Sequence, residues 1–249
     1  MTEKVHVHII TPNTSAGFRD DTPLHRAVGD LCRLSSSFLD KGPASVESAV
    51  DEVLAGPGTI DAAVRAEKCG ADAIVIDCML DPALDAVREA VSIPVIGAGS
   101  AGFAAAASFG QFCVVAALCR QAPMFEDLVM RNGLSDKLTS VKGIEVPVLE
   151  LEQDREGTTA KTIAACKAAM DEGANAVVFG CTGMLGFAEP VAEALGVRPE
   201  RITDPLPNAV KVALAAVEQG FEILPAPERK PVQGYEAWAD LHALMLPES

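Results

Sequence analysis

GANAVVFGCTGM, residues 173–184, is the stretch on which the fold turns. Its apolar run, Ala176-Val177-Val178-Phe179, climbs into Gly180 and then presents Cys181 on a turn of small residues. GADAIVIDCMLD, residues 70–81, reads almost the same way and presents Cys78. A shift of 103 positions, 181 − 78, superimposes the two stretches and the segments before them. Thr59-Ile60 falls on Thr162-Ile163, Ala62 on Ala165, Ala66 on Ala169, and Gly70-Ala71 on Gly173-Ala174. Ala73 falls on Ala176, Val75 on Val178, and Cys78 on Cys181. The unit is a helix, a glycine C-cap, a strand and a cysteine, used twice. Two related α/β halves are therefore expected, with both strand C-termini opening on one cleft, where ligands of open α/β sheets bind.

The rest of the chain alternates in the same manner. Strands are expected at 5–10, 71–77, 94–97, 112–118, 146–149 and 176–180. Helices are expected at 57–68, 81–90 with Asp81 as N-cap and Pro82 at the first helical position, 123–132, 158–172, 187–195 and 208–219. Near-continuous apolar strands between helices mean parallel sheets covered on both faces. The fold class is α/β, two pseudo-symmetric Rossmann-like halves with parallel sheets and an active site in the cleft between them. The first half is expected over 1–98 together with 206–249, a C-terminal return helix and tail, and the second over 99–205. The proline-rich tail LPAPERKPVQGY is expected to wrap the surface or a partner subunit.

Composition narrows the function. Hydrophobic residues make up 49% of the 249, enough for a sizeable core, and aromatics only 4%, which favours close helix-on-sheet packing. A net charge of −15 with no basic patch leaves nucleic acid and membrane surfaces as poor partners. A small-molecule substrate fits better, since helix N-termini can set the field locally. The seven cysteines show neither a CxxC pair nor zinc-ligand spacing. His6 and His8 interrupt the apolar N-terminal run, and no window is long and apolar enough for a membrane span. A cytoplasmic protein with reduced thiols is expected.

Two facing thiols suggest a definite chemistry. A strand-end thiol before a helix feels the positive helix N-terminus, which favours the thiolate. Backbone N–H groups of Met79 and Leu80 beside Cys78, and of Thr182 and Gly183 beside Cys181, can hold a carboxylate or a developing enolate oxygen. A carbon acid placed between the sulfurs loses a proton to one and gains a proton from the other on the opposite face. The product is the mirror-image centre, and neither metal nor other cofactor is required. Asp77 adjoins Cys78 but points to the opposite face. It either holds a loop through backbone N–H groups or contacts an amide-bearing substrate.

These residues resemble the Asp/Glu/hydantoin racemase superfamily, and within it the hydantoin racemase branch. The resemblance runs most of the length. It is carried by PNTS (12–15), GPASVES (42–48), DCMLDPALDAVRE (77–89) with PVIG (94–97), GCTGM (180–184) and DPLPNAVK (204–211). It implies two Rossmann-like halves and a cofactor-independent racemase or epimerase. The substrate it implies carries a stereocentre beside a carbonyl, in a hydantoin-like or amino-acid-derived molecule. It maps the catalytic pair onto Cys78 and Cys181, lines the pocket with Asn13, Thr14 and Ser45, places Thr182 beside the second thiol, and implies a homo-oligomer. Many relatives carry Glu-Ala after the PVxG motif, where this chain has Gly99-Ser100-Ala101-Gly102. The second half's first strand often ends in threonines, where this chain has Ala116-Ala117-Leu118 and then Cys119. These segments, Ser100 among them, are expected to help choose the substrate.

Other readings stay open. A thiol can add covalently to an alkene, as the related maleate cis-trans isomerases imply. A decarboxylase fits less well, because the related arylmalonate decarboxylases use one cysteine and this chain keeps two. A non-enzymatic binding protein can share the fold. His6 and His8 have only His25 and His242 to complete a metal set, so polar-facing or satisfied core histidines are expected. Cys32, Cys69, Cys113 and Cys166 are expected to be packing residues, while Cys119 is either packing or pocket lining.

Overall fold

The computed structural model describes residues 4–221. The chain alternates β1 (His6–Thr11), α1 (Thr22–Val28), β2 (Arg33–Phe38), α2 (Ala49–Lys68), β3 (Ala73–Ile76), α3 (Leu84–Ala90) and β4 (Val95–Gly97). It continues through α4 (Ala98–Ala107), β5 (Phe112–Ala116), α5 (Ala122–Arg131), β6 (Leu138–Gly143) and α6 (Arg155–Asp171). β7 (Ala176–Phe179), α7 (Ala188–Leu195), β8 (Ile202–Thr203) and α8 (Pro205–Glu218) complete it. Two four-stranded sheets result, in the orders β2-β1-β3-β4 and β6-β5-β7-β8, and every pairing is parallel. The expected α/β class with two equivalent parallel sheets is observed. The proline-rich tail lies outside the described residues.

The repeat is structural. β3 and β7 hold equivalent places beside the central strand of each sheet, and every residue of both is buried. Thr59 and Thr162 are each fully buried and donate their hydroxyls to the carbonyl four residues back, at 2.8 Å in both helices. Gly70 and Gly173 carry φ of 82° and 105°, the left-handed turn that reverses each helix into its strand. α8 returns to pack on α1, β1, β3 and β4 of the first sheet and along α4. Phe103 of α4 is fully buried and stacks on Phe112, with Phe125 edge-on to it. A buried aromatic truncated to alanine typically costs about 3–5 kcal/mol.

Two expected elements are corrected and two unread ones are added. The fifth strand of the sequence reading, 146–149, is β6 at Leu138–Gly143 instead, and Val148–Glu150 forms a 3-10 turn. Pro147 cannot donate to a ladder, whereas LTSVKG serves as a half-exposed edge strand. β2, the serine-rich RLSSSF, is the matching edge strand of the first sheet, and polar edges leave no apolar run to read. α2 begins at Ala49, capped by the Ser48 hydroxyl accepting from Asp51 N–H, and runs through Gly56-Pro57-Gly58. The alanine-rich segment after PVIG is helical, as α4.

Asp81 does not cap α3, which starts at Leu84 behind a left-handed Ala83. It turns, at φ 48°, to the N-terminus of α4. Its carboxylate accepts from Gly99 N–H at 2.7 Å, Ser100 N–H at 2.8 Å and the Ser100 hydroxyl at 2.5 Å. Burial pushes its carboxyl up to about 6, against those three donors. A side chain on Gly99 would run into the Met79 carbonyl, one residue beyond Cys78. Gly99→Ala is therefore expected to displace the Cys78 turn and cut turnover about tenfold to a hundredfold. Steady-state kinetics with circular dichroism as a folding control checks this.

Candidate active site

Cys78 and Cys181 leave the C-terminal ends of the two equivalent strands and open on one cavity of about 30 Å³. The first half contributes Pro12, Asn13, Phe18, Val46 and Asp77 to its wall. The second contributes Gln121, Val148, Gly180 and Thr182. Asn13 is buried because its loop is folded back. Its side-chain carbonyl accepts from Ser15 N–H at 2.9 Å, and its backbone carbonyl from Leu39 N–H at 2.9 Å. Met79 and Leu80 complete the wall behind Cys78.

Not every expected residue reaches the cavity. Thr14 is exposed, and both its N–H and its hydroxyl donate to the Pro43 carbonyl. Ser45 donates to Glu47 at 3.3 Å, and Ser100 is turned to Asp81. None of these three lines the wall. Gly183 stands behind the second thiol, its N–H 3.3 Å from the Cys181 sulfur. Cys119 is exposed and away from the cavity, its N–H held by Glu145. Cys69 is exposed rather than packed, because the helix C-terminus that carries it faces solvent. Cys32, Cys113 and Cys166 are buried as expected.

The electrostatics depart from the sequence reading. Burial pushes the Cys181 thiol up to about 11, although the Gly183 N–H and Arg19 oppose the shift. The Cys78 thiol is also raised, first by burial and then by the neighbouring Cys181 and acidic groups, against an N–H bond from Leu80. The expected stabilisation of the thiolate is present as these N–H groups, but desolvation outweighs it. Burial thus biases both thiols toward the protonated form.

Asp77 lines the cavity wall, and its loop contacts run through side chains rather than through backbone N–H groups. Its carboxylate is gripped by the Arg19 guanidinium at 2.7 and 3.1 Å and accepts the Thr11 hydroxyl at 2.9 Å. The Arg19 and Asp77 side chains are 5% and 0% exposed, so the pair is desolvated. Breaking such a pair from one side costs about 3–5 kcal/mol. Arg19 also donates to the Thr182 carbonyl at 3.2 Å, across the cleft. A second latch is Glu47, which accepts from Val148 N–H at 2.9 Å and from Arg120 at 2.7 Å.

Phe18, Arg19, Val46, Gln121 and Val148 were missed by sequence reasoning. One signal was available for Gln121. The first-half loop after β1 was singled out at PNTS, and the equivalent loop after β5 is 117–121. The others sit on loops whose path no periodicity reveals.

His6 and His8 are satisfied within the sheet. His6 Nδ1 reaches the Gly70 carbonyl at 3.0 Å, and a carbonyl only accepts, so Nδ1 carries the proton there. Ser35 lies between the two rings, 2.6 Å from His6 Nε2 and 2.7 Å from His8 Nδ1, and Ser37 lies 2.9 Å from His8 Nε2. Among the described residues no three His, Cys, Asp or Glu side chains form a metal-holding group, and no helix is long and apolar enough to cross a membrane.

The sequence profile of the Asp/Glu/hydantoin racemase family matches residues 7–213. The chain belongs to the Asp/Glu/hydantoin racemase family. It is 35% identical over 224 residues to a hydantoin racemase of Rhizobium meliloti, covering 87% of this chain and 90% of that one. It is 32% identical over 228 residues to a hydantoin racemase of Paenarthrobacter aurescens, covering 88% and 93%. The solved allantoin racemase from Klebsiella pneumoniae superimposes with a TM-score of 0.84 at 27% identity, over 95% of this chain and 98% of that one. Family membership makes the protein an isomerase of the racemase class.

Proposed function

We propose that this family member racemises or epimerises a carbon beside a carbonyl, in a hydantoin-like or amino-acid-derived substrate, by passing protons between Cys78 and Cys181 without a cofactor. One observation carries the reading. Two cysteines at equivalent strand ends of two equivalent sheets line the same cavity. The relatives named as hydantoin and allantoin racemases support the substrate class.

In this mechanism one sulfur, as thiolate, takes the proton from one face of the stereocentre. The other, as thiol, supplies a proton to the opposite face. After one turnover the two have exchanged protonation states, and the reverse reaction starts from that exchanged form. The Leu80 and Gly183 N–H groups are aimed at the sulfurs and favour whichever of them carries the negative charge. Asn13 and Gln121 bring one amide each from the two halves, their oxygens held by Ser15 and Leu118 N–H groups, which leaves the NH2 groups to donate to carbonyls of a hydantoin-like ring. The cavity between the thiols is small, about 30 Å³. A cytoplasmic location, where the thiols stay reduced, and a homo-oligomeric assembly belong to the same reading.

The test uses single enantiomers of 5-substituted hydantoins, allantoin, aspartate and glutamate, with maleate alongside, in heavy water. Loss of optical rotation with one deuterium at the stereocentre is the expected result, for a hydantoin or allantoin before a free amino acid. Conversion of maleate to fumarate with no change in the chiral compounds would replace the proposal by covalent thiol addition. Silence across the panel would count against catalysis and leave a binding protein.

A further inference from the structure

We propose that Arg19 is a positioning residue that sets Cys78 against Cys181 across the cleft, by bridging the residue before the first thiol to the residue after the second. This rests on the two-cysteine reading. The geometry is a closed ring of contacts. Arg19 grips both oxygens of the Asp77 carboxylate, and one of the same nitrogens donates to the Thr182 carbonyl at 3.2 Å. The Thr182 hydroxyl donates back to the Asp77 carbonyl at 3.2 Å. Asp21 holds the remaining guanidinium nitrogen at 2.7 Å, so the fork is fixed from behind. One side chain from the loop after β1 thus ties the turn after β3 to the turn after β7.

The arrangement has a chemical consequence beyond stability. Asp77 lies beside both sulfurs, and its charge opposes thiolate at each. Arg19 cancels that charge locally and favours thiolate at Cys181. The other charged groups facing the sulfurs are Glu47 toward Cys181 and Asp81 toward Cys78, and Asp204 faces Arg19. Lysine would keep the charge but not the fork, because only a planar guanidinium serves a carboxylate and a carbonyl at once.

The experiment compares the full-length protein with Arg19→Lys, Arg19→Gln and the double variant Arg19→Gln/Asp77→Asn. Two readouts are taken. One is kcat and KM across pH. The other is the pH dependence of iodoacetamide alkylation at Cys78 and Cys181, resolved by peptide mass spectrometry, which needs no turnover. Arg19→Gln is expected to lose about 100-fold in kcat with KM held within about threefold. Its Cys181 alkylation midpoint moves to higher pH. Arg19→Lys keeps the midpoint and loses about tenfold in kcat. The double variant returns the midpoint toward the parent value without restoring kcat. It also removes the orphaned buried charge, so it carries the test if Arg19→Gln fails to fold. A folded Arg19→Gln with kcat within about threefold of the parent and an unmoved midpoint, or a folded double variant with kcat within about threefold of the parent, would overturn the proposal. Racemisation surviving in Cys78→Ala or Cys181→Ala would instead defeat the two-cysteine reading, and the alkylation midpoints would still report on Arg19.

Discussion

Cys78→Ala and Cys181→Ala are each expected to lose racemisation by about 10³-fold or more, because each removes one of the two proposed proton-transfer groups. The loss should be asymmetric in a second observable. With Cys78 removed, Cys181 still faces one side of the stereocentre. It can still take the proton of one enantiomer, let the thiol exchange with solvent, and return a deuteron to the same face. With Cys181 removed, the other enantiomer should exchange. Each variant therefore washes out label from one hand and inverts neither. Heavy-water exchange followed by chiral chromatography checks this. Exchange of both enantiomers by one variant would mean that a group other than the missing thiol serves its face. Cys69 and Cys119 are exposed, so alkylation controls must separate them from the cavity pair.

The second large effect is on pH. In the proposed mechanism the base is a thiolate, and burial pushes the Cys181 thiol up to about 11. In the free protein at pH 7 the thiolate is then about one part in 10⁴, and each pH unit raises it about tenfold. kcat/KM is expected to climb about a hundredfold between pH 7 and pH 9 without a plateau. The two sulfurs titrate as a pair, so the limb reports a macroscopic value. Stability runs the other way. A thiol whose folded value lies above its usual 9.0 supports the fold below pH 9 and withdraws that support as pH rises toward 11. Rates must therefore be read as initial velocities at the upper end. A limb centred near pH 6–7 would mean that the thiolate is preformed, as the position of Cys181 ahead of a helical turn had suggested from sequence alone.

That last contrast shows where sequence reading stops. The repeated Gly-Ala, β-branched run and cysteine gave the two strands, their equivalence and their common cleft, because each feature is local and periodic. The edges β2 and β6 stayed hidden because a half-exposed strand needs no apolar run. Pro57 and the glycines beside it masked the first two turns of α2, whose Ser48 cap is a side-chain bond that only the folded turn reveals. Asp81 carries the residues of an N-cap and caps a different helix through a left-handed turn. Within the site, Cys78, Cys181, Asn13 and Thr182 follow strand ends and were legible from motif and repeat. Arg19 was not, since it lies in an irregular loop and acts through a partner 58 positions away. The thiol pKa was unreadable for a related reason. Sequence shows the N–H donors beside a sulfur but not how far water is excluded from it.

The central claim is that two bases, one on each face, carry out the inversion. The most direct measurement is an early time course with one pure enantiomer in heavy water, scoring deuterium separately in product and in recovered substrate. Two bases predict product carrying one deuterium while the remaining substrate stays protiated at low conversion. Deuterium entering recovered substrate as fast as product forms, or product that keeps the substrate's own proton, would contradict the account, because a single group would then be serving both faces.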